Sequence, residues 1–185
     1  MVETPSSMVP LGTTAPDFSL ADTVSGKMMS LDELKSDQAT VVMFICNHCP
    51  FVKHVQAQLV ELANDYGPIG VSFIAINSND VDIYPEDSPE NMKKTAKHMG
   101  YSFPYLYDET QDAAKAYKAA CTPDFYIFDG ELVLVYRGQL DDSRPGSRIP
   151  VTGEDMRAAL DNILAGEPVN PQQRPSVGCN IKWKY

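Results

Sequence analysis

A short, wholly apolar run is followed directly by a helical apolar stripe, and this pair constrains the fold most. Residues 40–45 read Thr-Val-Val-Met-Phe-Ile with no polar alternation, which is typical of a strand buried on both faces. The stripe after it recurs at steps of three and four, as on one face of an amphipathic helix: Val52, Val55, Leu59, Leu62 and Tyr66. Because a strand buried on both faces needs cover on each side, the pair predicts an α/β fold.

The rest of the chain continues this alternation of strands and helices. Apolar runs at 70–76 and 103–107 predict two further strands, and Ser88-Pro89-Glu90 has the cap, proline and acid that open a helix ending near Gly100. Further predicted elements are a short helix at 110–119, a hairpin of 125–128 and 132–136 around Asp129-Gly130, and a last helix after Thr152. The sequence therefore predicts an α/β domain with a mixed central β-sheet flanked by helices.

The two ends of the chain differ from its body. Residues 1–8 form a loose lead-in, residues 9–166 the domain, and residues 167–185 a Pro-rich tail. Three prolines in 167–178 exclude regular helix and central strand from that stretch.

Composition bounds the function classes. The 15 basic and 25 acidic residues give a net charge of −10, which excludes nucleic acid and an anionic membrane surface as the main partner. No apolar run reaches about 20 residues, and the amino end lacks a basic leader followed by an apolar stretch. We therefore expect a cytoplasmic protein whose four cysteines are mostly reduced rather than a disulfide scaffold.

Two of those cysteines lie where the first strand gives way to the first helix, in the segment Cys46-Asn47-His48-Cys49-Pro50. Proline is tolerated only in the opening turn of a helix, so we expect Cys46 at or just outside the helix amino end. There the free N–H groups and the helix dipole favour a thiolate and lower the pKa of a thiol. The spacing of Cys49 is within disulfide reach, and His48 between the two is expected to stabilise the Cys46 thiolate.

These features predict thiol–disulfide exchange. We expect an exposed Cys46 to attack a partner disulfide and Cys49 to release the mixed disulfide. The partner is a disulfide-bearing protein or a small thiol or peroxide substrate, and a second reductase recycles the pair. No organic cofactor and no metal is implied, and the oligomeric state is left open.

Several segments resemble one known family. Residues 12–20 (GTTAPDFSL) look like the opening strand motif of the alkyl hydroperoxide reductase and thiol-specific antioxidant (AhpC/TSA) branch of the thioredoxin-like superfamily. The Cys46–Pro50 segment falls on that branch's active site, and Thr122-Pro123 falls on the superfamily's cis-proline position. The resemblance covers about residues 9–165. It implies a thioredoxin-like fold with an N-terminal strand extension and an irregular C-terminal tail. It also implies a cis bond that presents the Thr122 backbone to a bound substrate segment.

The chain departs from the peroxiredoxin pattern P-x-x-x-T-x-x-C. Counted back from Cys46, the proline and threonine positions hold Ala39 and Met43; counted from Cys49, they hold Val42 and Cys46. The arginine of that pattern is also missing from its expected context. A peroxiredoxin-like antioxidant with Cys46 as the peroxide-reactive thiol is therefore the alternative rather than the first hypothesis.

A metal-binding or copper-chaperone module using Cys46, Cys49 and a histidine is the alternative from another class. If exchange needs a base, the candidates are His48, His54, Lys53 or water, because the 40–45 strand contains no acid.

The other two cysteines are additional candidate redox thiols. Cys121 directly precedes Thr122, and Cys179 lies in the tail, from which it could reach a mixed disulfide at Cys46. One acidic group is expected to be a solvated loop: Asp80, Asp82, Glu86, Asp87 and Glu90.

Overall fold

The computed structural model describes residues 2–185, and over that range it contains ten strands and five α-helices. The strands are β1 (Glu3–Pro5), β2 (Ser19–Asp22), β3 (Met28–Ser30), β4 (Ala39–Phe44), β5 (Val71–Asn77), β6 (Tyr105–Tyr107), β7 (Cys121–Thr122), β8 (Asp124–Asp129), β9 (Leu134–Gly138) and β10 (Val177–Asn180). The helices are α1 (Leu31–Leu34), α2 (Pro50–Tyr66), α3 (Pro89–Met99), α4 (Asp112–Tyr117) and α5 (Glu154–Leu164).

Seven strands form the central sheet in the order β3-β2-β6-β5-β4-β8-β9. The β4–β5 and β5–β6 pairs are parallel and the others are antiparallel, so the sheet is mixed, as predicted. Every residue of β4 is buried, which follows from its central place in the order.

Alternate side chains of β4 enter two separate apolar clusters. Val41 and Met43 pack in one cluster with residues of α2, α3 and α5, whereas Val42 and Phe44 pack in the other with residues of α1 and α4. The sheet is therefore flanked by helices on both faces. The predicted stripe of α2 is buried throughout, and each fully buried Leu or Val of that stripe contributes roughly 1.5–3 kcal/mol.

The two ends of the chain carry short strands that the sequence did not predict. One of them, β10, is the middle strand of its sheet and begins at Val177, so the exclusion of a central strand from residues 167–178 is wrong for the last two of them, which follow Pro175. Strands β1 and β10 join β7 in a second, three-stranded sheet of order β1-β10-β7. All its pairs are antiparallel, and Cys179 lies opposite Thr122. The amino-terminal strand and the tail thus meet beside the segment that the resemblance linked to substrate binding.

Among the described residues, no helix combines the length and the apolar character that crossing a bilayer requires.

Candidate active site

The Cys46–Cys49 segment connects the carboxyl end of β4 to the amino end of α2. The first residue of α2 is Pro50, and its N-cap is Cys49 rather than Cys46. The expectation that Cys46 lies at the helix start is thus corrected by three residues. The reason is that Pro50 takes the first helical position, where its missing N–H costs no hydrogen bond.

Both sulfurs of the segment converge on Thr122. Cys46 Sγ lies 3.3 Å from Thr122 Oγ1, and Cys49 Sγ lies 3.4 Å from the Thr122 backbone oxygen. The Thr122–Pro123 bond is cis, in agreement with the expectation from the resemblance. Residues separated by more than 70 positions in the chain therefore form one site.

Cys49 forms a disulfide with Cys179 of β10, and their Cα atoms are 6.3 Å apart. Cys46 is a free thiol. From the sequence, Cys179 was a candidate redox thiol that could reach Cys46; the structure joins it to Cys49 instead. The register of β10 explains this pairing, because it sets Cys179 opposite Thr122, whose backbone oxygen is the neighbour of Cys49 Sγ.

The expected exposed, acidic thiol at Cys46 is not what the structure contains. Cys46 is 1% exposed, and burial, followed by the nearby carboxylate of Asp87, raises its pKa to about 12. The Thr122 hydroxyl and the backbone N–H groups of Cys49 and His48 act in the opposite direction. These two backbone amides, which we call the helix-start amides because they directly precede α2, thus favour a Cys46 thiolate. The removal of the sulfur from water outweighs their effect on its pKa.

His48 contacts a carboxylate that the sequence analysis assigned to solvent. His48 Nδ1 lies 2.5 Å from Asp87 Oδ2, and Asp87 is completely buried. Burial alone would raise the pKa of Asp87, yet hydrogen bonds from His48, the Asn47 N–H and the Asn79 side chain hold it below its ordinary value. Asp87 is therefore ionised at neutral pH, and His48 Nδ1 carries the proton between them.

The prediction of a solvated acidic loop is wrong for two of its five members. Asp80 and Asp87 are buried, whereas Asp82, Glu86 and Glu90 are exposed. A sequence signal for Asp87 was present: it directly precedes the N-cap Ser88 of α3 and lies beyond the carboxyl end of β5. The parallel partner of β5 is β4, whose own carboxyl end leads to the cysteines.

Cys46, His48 and Asp87 each bring one atom able to bind a metal within 4.8 Å of the others. The His48 ring and the Asp87 carboxylate already have hydrogen-bond partners in the protein. The three side chains therefore form a polar cluster in which His48 is hydrogen-bonded to Asp87 in the neighbourhood of Cys46. The metal-binding alternative requires Cys49 as a ligand, and in the structure Cys49 is bonded to Cys179.

The side chains of the other two candidate bases have different surroundings. His54 Nε2 lies 2.7 Å from Ser143 Oγ, and Lys53 is exposed on α2. The Arg137 side chain donates hydrogen bonds to the Val9 backbone oxygen and to Gln173. Of the three candidate side chains, His48 alone contacts Asp87, the buried carboxylate near Cys46.

Cys121 forms a second buried site with an acid that the sequence analysis did not consider. Its Sγ lies 3.6 Å from the Pro123 backbone oxygen, and burial followed by the Asp124 carboxylate raises its pKa. Asp124, at the start of β8, is 1% exposed, and burial raises its pKa to about 6 against hydrogen bonds from Ala120 and Tyr126.

Comparisons with known proteins agree with this architecture. The AhpC/TSA family model matches residues 11–137. The chain is 24% identical over 162 residues to the thiol-disulfide oxidoreductase ResA of Geobacillus thermodenitrificans, covering 86% of this chain and 82% of that one.

Two solved structures show how far the similarity in fold extends. An uncharacterized conserved protein from Geobacillus kaustophilus is 67% identical with a TM-score of 0.98, over 100% of this chain and 97% of that one. The thioredoxin domain of a thiol-disulfide oxidoreductase from Bacteroides vulgatus is 18% identical with a TM-score of 0.60, over 74% and 90%. The predicted thioredoxin-like fold is confirmed, and the chain belongs to the AhpC/TSA family.

Proposed function

We propose that this chain is a thiol–disulfide oxidoreductase that uses Cys46 and Cys49 as its exchanging pair. One observation carries the proposal: a free thiol, Cys46, and a disulfide sulfur, Cys49, both contact the same residue, Thr122. Exchange requires a thiol held beside a disulfide sulfur. The similarity to ResA of Geobacillus thermodenitrificans supports the same reaction class.

The geometry favours roles opposite to those expected from the sequence. Cys49 is the N-cap of α2 and already forms a disulfide with a residue outside the segment, so we assign it the exchange with the partner. A Cys49 thiolate attacks one sulfur of the partner disulfide, and the other partner sulfur leaves as a thiolate and takes a proton. A Cys46 thiolate then attacks Cys49 Sγ, which forms the Cys46–Cys49 disulfide and releases the partner as a thiol. Two electrons pass from the pair to the partner.

Cys46 cannot perform its step while it is covered. Its pKa of about 12, raised by burial and then by Asp87, keeps it protonated at neutral pH. Uncovering the site removes the largest of these causes, and the hydrogen bonds from Thr122 and from the helix-start amides then favour the thiolate. His48, oriented by Asp87, is the neighbouring group able to accept the proton.

The reaction needs no organic cofactor, because its electrons come from thiols. An external dithiol reductant would recycle the pair, and we place the exchange in the cytoplasm, where such reductants are maintained. The partner class is a disulfide-bearing protein.

Trapping the partner on one cysteine tests the assignment. In a chain carrying Cys46→Ser and Cys179→Ser, we expect a protein disulfide to form a stable mixed disulfide at Cys49, identified by peptide mass spectrometry. The matched control combines Cys49→Ser with Cys179→Ser, and we expect no stable adduct from it. Stable adducts on Cys46 in the control, with none on Cys49 in the first chain, would reverse the roles again. Adducts on neither would reject the exchange function.

A redox titration of the pair shows the direction of electron transfer. A potential near about −270 mV is that of a reductant, and one near about −120 mV that of an oxidant. Peroxide consumption in the same preparation tests the antioxidant alternative, which is eliminated if the chain reacts no faster than free cysteine.

A further inference from the structure

Strand β10 lies on the backbone edge to which the sequence analysis assigned an external partner. Cys179 is opposite Thr122 and Asn180 opposite Cys121 in an antiparallel pair. The Ile181 N–H extends this ladder to the Ala120 oxygen at 3.2 Å. The chain therefore fills its own docking edge with an extended segment whose cysteine is disulfide-bonded to Cys49.

One residue of the segment allows this close approach. A Cβ atom added at Gly178 would overlap the Thr122 oxygen and would lie 2.6 Å from the Thr122 carbonyl carbon and 3.1 Å from Pro123 N. Those atoms belong to the backbone, which cannot rotate away as the end of a side chain can. The edge therefore accepts a strand in this register only where the residue before its cysteine has no side chain.

Polar contacts on both sides of Cys179 fix the register. Before it, Ser176 Oγ donates to the Pro123 oxygen at 2.6 Å, and Ser176 N donates to Ser6 Oγ at 2.8 Å. After it, Lys182 N donates to Asn79 Oδ1 at 2.9 Å. Cys179 itself is 2% exposed and shares one buried cluster with Cys46 and Cys49, so a partner reaches these sulfurs only when the strand leaves.

We propose that β10 is an internal copy of the partner segment, released by reduction of the Cys49–Cys179 disulfide, and that the partner is an extended protein segment in which a disulfide-bonded cysteine directly follows a glycine. This inference rests on the proposed function. The released edge pairs with the partner backbone at Thr122, as β10 does, and the partner cysteine takes the position of Cys179 against Cys49.

The same chemistry returns the chain to its closed form. After the partner has been reduced, the Cys179 thiolate attacks Cys49 Sγ of the Cys46–Cys49 disulfide. The new bond is Cys49–Cys179, and Cys46 leaves as a thiolate that takes a proton. No electrons are gained or lost in this step, so the closed form is an oxidised form, and an external dithiol must reduce it before the next partner binds.

Two chains and two peptides test the inference. Both chains have a Cys46→Ser background, so that an adduct on Cys49 is not released again. On this background the single variant carries Cys179→Ser, which removes the covalent link but keeps the strand. The double variant carries Cys179→Ser and Gly178→Ala, and the added side chain prevents the strand from docking. The peptides are PSVGCNIK and the same peptide with alanine in place of its glycine, each activated as an aromatic mixed disulfide. The rate of adduct formation on Cys49 is followed by mass spectrometry, with a small aromatic disulfide as a probe that needs no docking.

In the double variant we expect the glycine peptide to react at least about tenfold faster than the alanine peptide, which corresponds to about 1.4 kcal/mol in the free energy of reaching the adduct. We also expect the double variant to react faster with the glycine peptide than the single variant does, because its own strand no longer competes. Equal rates for the two peptides, or for the two chains, would overturn the inference and leave the proposed function standing. If even the small disulfide fails to react with Cys49, the proposed function fails as well.

A measurement on the unmodified chain avoids any folding defect in the variants. Amide hydrogen exchange at Ile181, whose N–H bonds to Ala120, is compared before and after reduction by a dithiol. We expect exchange to accelerate at least about tenfold on reduction, while the Ile45 amide, bonded to Ile76 in the central sheet, is unchanged. Unchanged protection at Ile181 in the reduced chain would show that the strand does not leave.

Discussion

The structure contains two buried cysteine–aspartate pairs, Cys46 with Asp87 and Cys121 with Asp124, and their carboxyl groups behave in opposite ways. Asp87, beside Cys46, has a pKa below its ordinary value, whereas burial raises the pKa of Asp124, beside Cys121, to about 6. Both carboxyl groups are almost fully removed from water. Burial alone therefore does not decide the charge of either group.

The number of donors that meet each carboxylate explains the difference. Both oxygens of Asp87 accept hydrogen bonds, from the Asn47 N–H, His48 and Asn79. Within residues 2–185, Asp124 Oδ1 has no partner. A carboxylate that accepts several hydrogen bonds stays ionised in the interior, and one that accepts few tends to hold its proton. The first pair thus keeps its charge beside Cys46 well below neutral pH, whereas the Asp124 carboxyl group of the second pair holds its proton until the pH rises to about 6.

The largest expected contrast is in catalysis. Cys49→Ser should lower the rate of exchange with a protein disulfide by at least about 100-fold, because a hydroxyl is a far weaker nucleophile than a thiolate. The Cys121→Ser chain should exchange at a rate within about threefold of the parent chain. The Cys121 sulfur contacts the Pro123 backbone oxygen and neither of the exchanging sulfurs, and substitutions that share no partner usually act independently. Steady-state turnover with an excess of dithiol measures both. A Cys121→Ser chain as inactive as the Cys49→Ser chain would place both pairs in the mechanism.

The next contrast is in stability against pH. The ordinary pKa of an aspartate in an unfolded chain is about 3.9, and that of Asp124 in the folded chain is about 6. The folded chain therefore binds more protons between these values. The contribution of Asp124 to stability is therefore full below about pH 4 and declines as the pH rises through about 6, by at most about 3 kcal/mol.

Asp124→Asn, which is neutral throughout, should lose this decline. The measurement is the free energy of unfolding in urea at pH 4, 5, 6 and 7, for the parent and the variant. Parallel curves for the two chains would contradict the raised pKa of Asp124.

Asp87→Asn should give the opposite sign and a smaller change. Because the folded pKa of Asp87 is lowered, its carboxylate stabilises the folded chain above about pH 4, and this contribution is lost as the pH falls through the folded value. We expect the variant to lose about 1–3 kcal/mol at pH 7 and progressively less at pH 3. The same urea series measures it, with Asp82→Asn, an exposed acid of the same loop, as the matched control. A cost at pH 3 equal to that at pH 7 would show that the carboxylate acts through shape and not charge.

Local signals in the sequence were sufficient for the scaffold of this site. The uninterrupted run at 40–45 and the stripe from Val52 to Tyr66 became β4 and α2, and the N-cap Ser88 begins α3 as predicted. Each depends on side chains within a few positions of one another. The closeness of Thr122 to the cysteines came from the resemblance, because no periodicity connects residues 76 positions apart.

The parts that were missed depend on distant contacts. Strands β1 and β10 have three and four residues, too few to show a period. They are held by distant pairing, β10 with β7 and β1 with β10. The Cys49–Cys179 bond spans 130 positions, and spacing alone had favoured Cys46–Cys49. The burial of Cys46, which reverses its expected pKa shift, occurs in a cluster that includes Cys179 of the tail, so it too depends on contacts between distant residues.

The smallest expected effect concerns the hydroxyl that distinguishes Cys46 from Cys121. Cys46 Sγ contacts Thr122 Oγ1 at 3.3 Å, and this contact lowers the Cys46 pKa against the larger effect of burial. Thr122→Val keeps the branched shape and removes the hydroxyl. Cys46 should then release a partner from its mixed disulfide with Cys49 about threefold to tenfold more slowly. This change corresponds to roughly 0.5–1.5 kcal/mol, the contribution of one hydrogen bond. Thr122→Ser, which keeps the hydroxyl, should restore most of the rate.

The Thr122 readout is the pH at which Cys46 in the reduced chain reaches half its maximal rate of alkylation. This pH should move upward in the valine variant and return in the serine variant. A half-maximum that is the same in all three chains would mean that the helix-start amides alone hold the Cys46 thiolate. The two cysteine–aspartate pairs would then differ only in their carboxylates, and Thr122 would serve the site through its backbone oxygen.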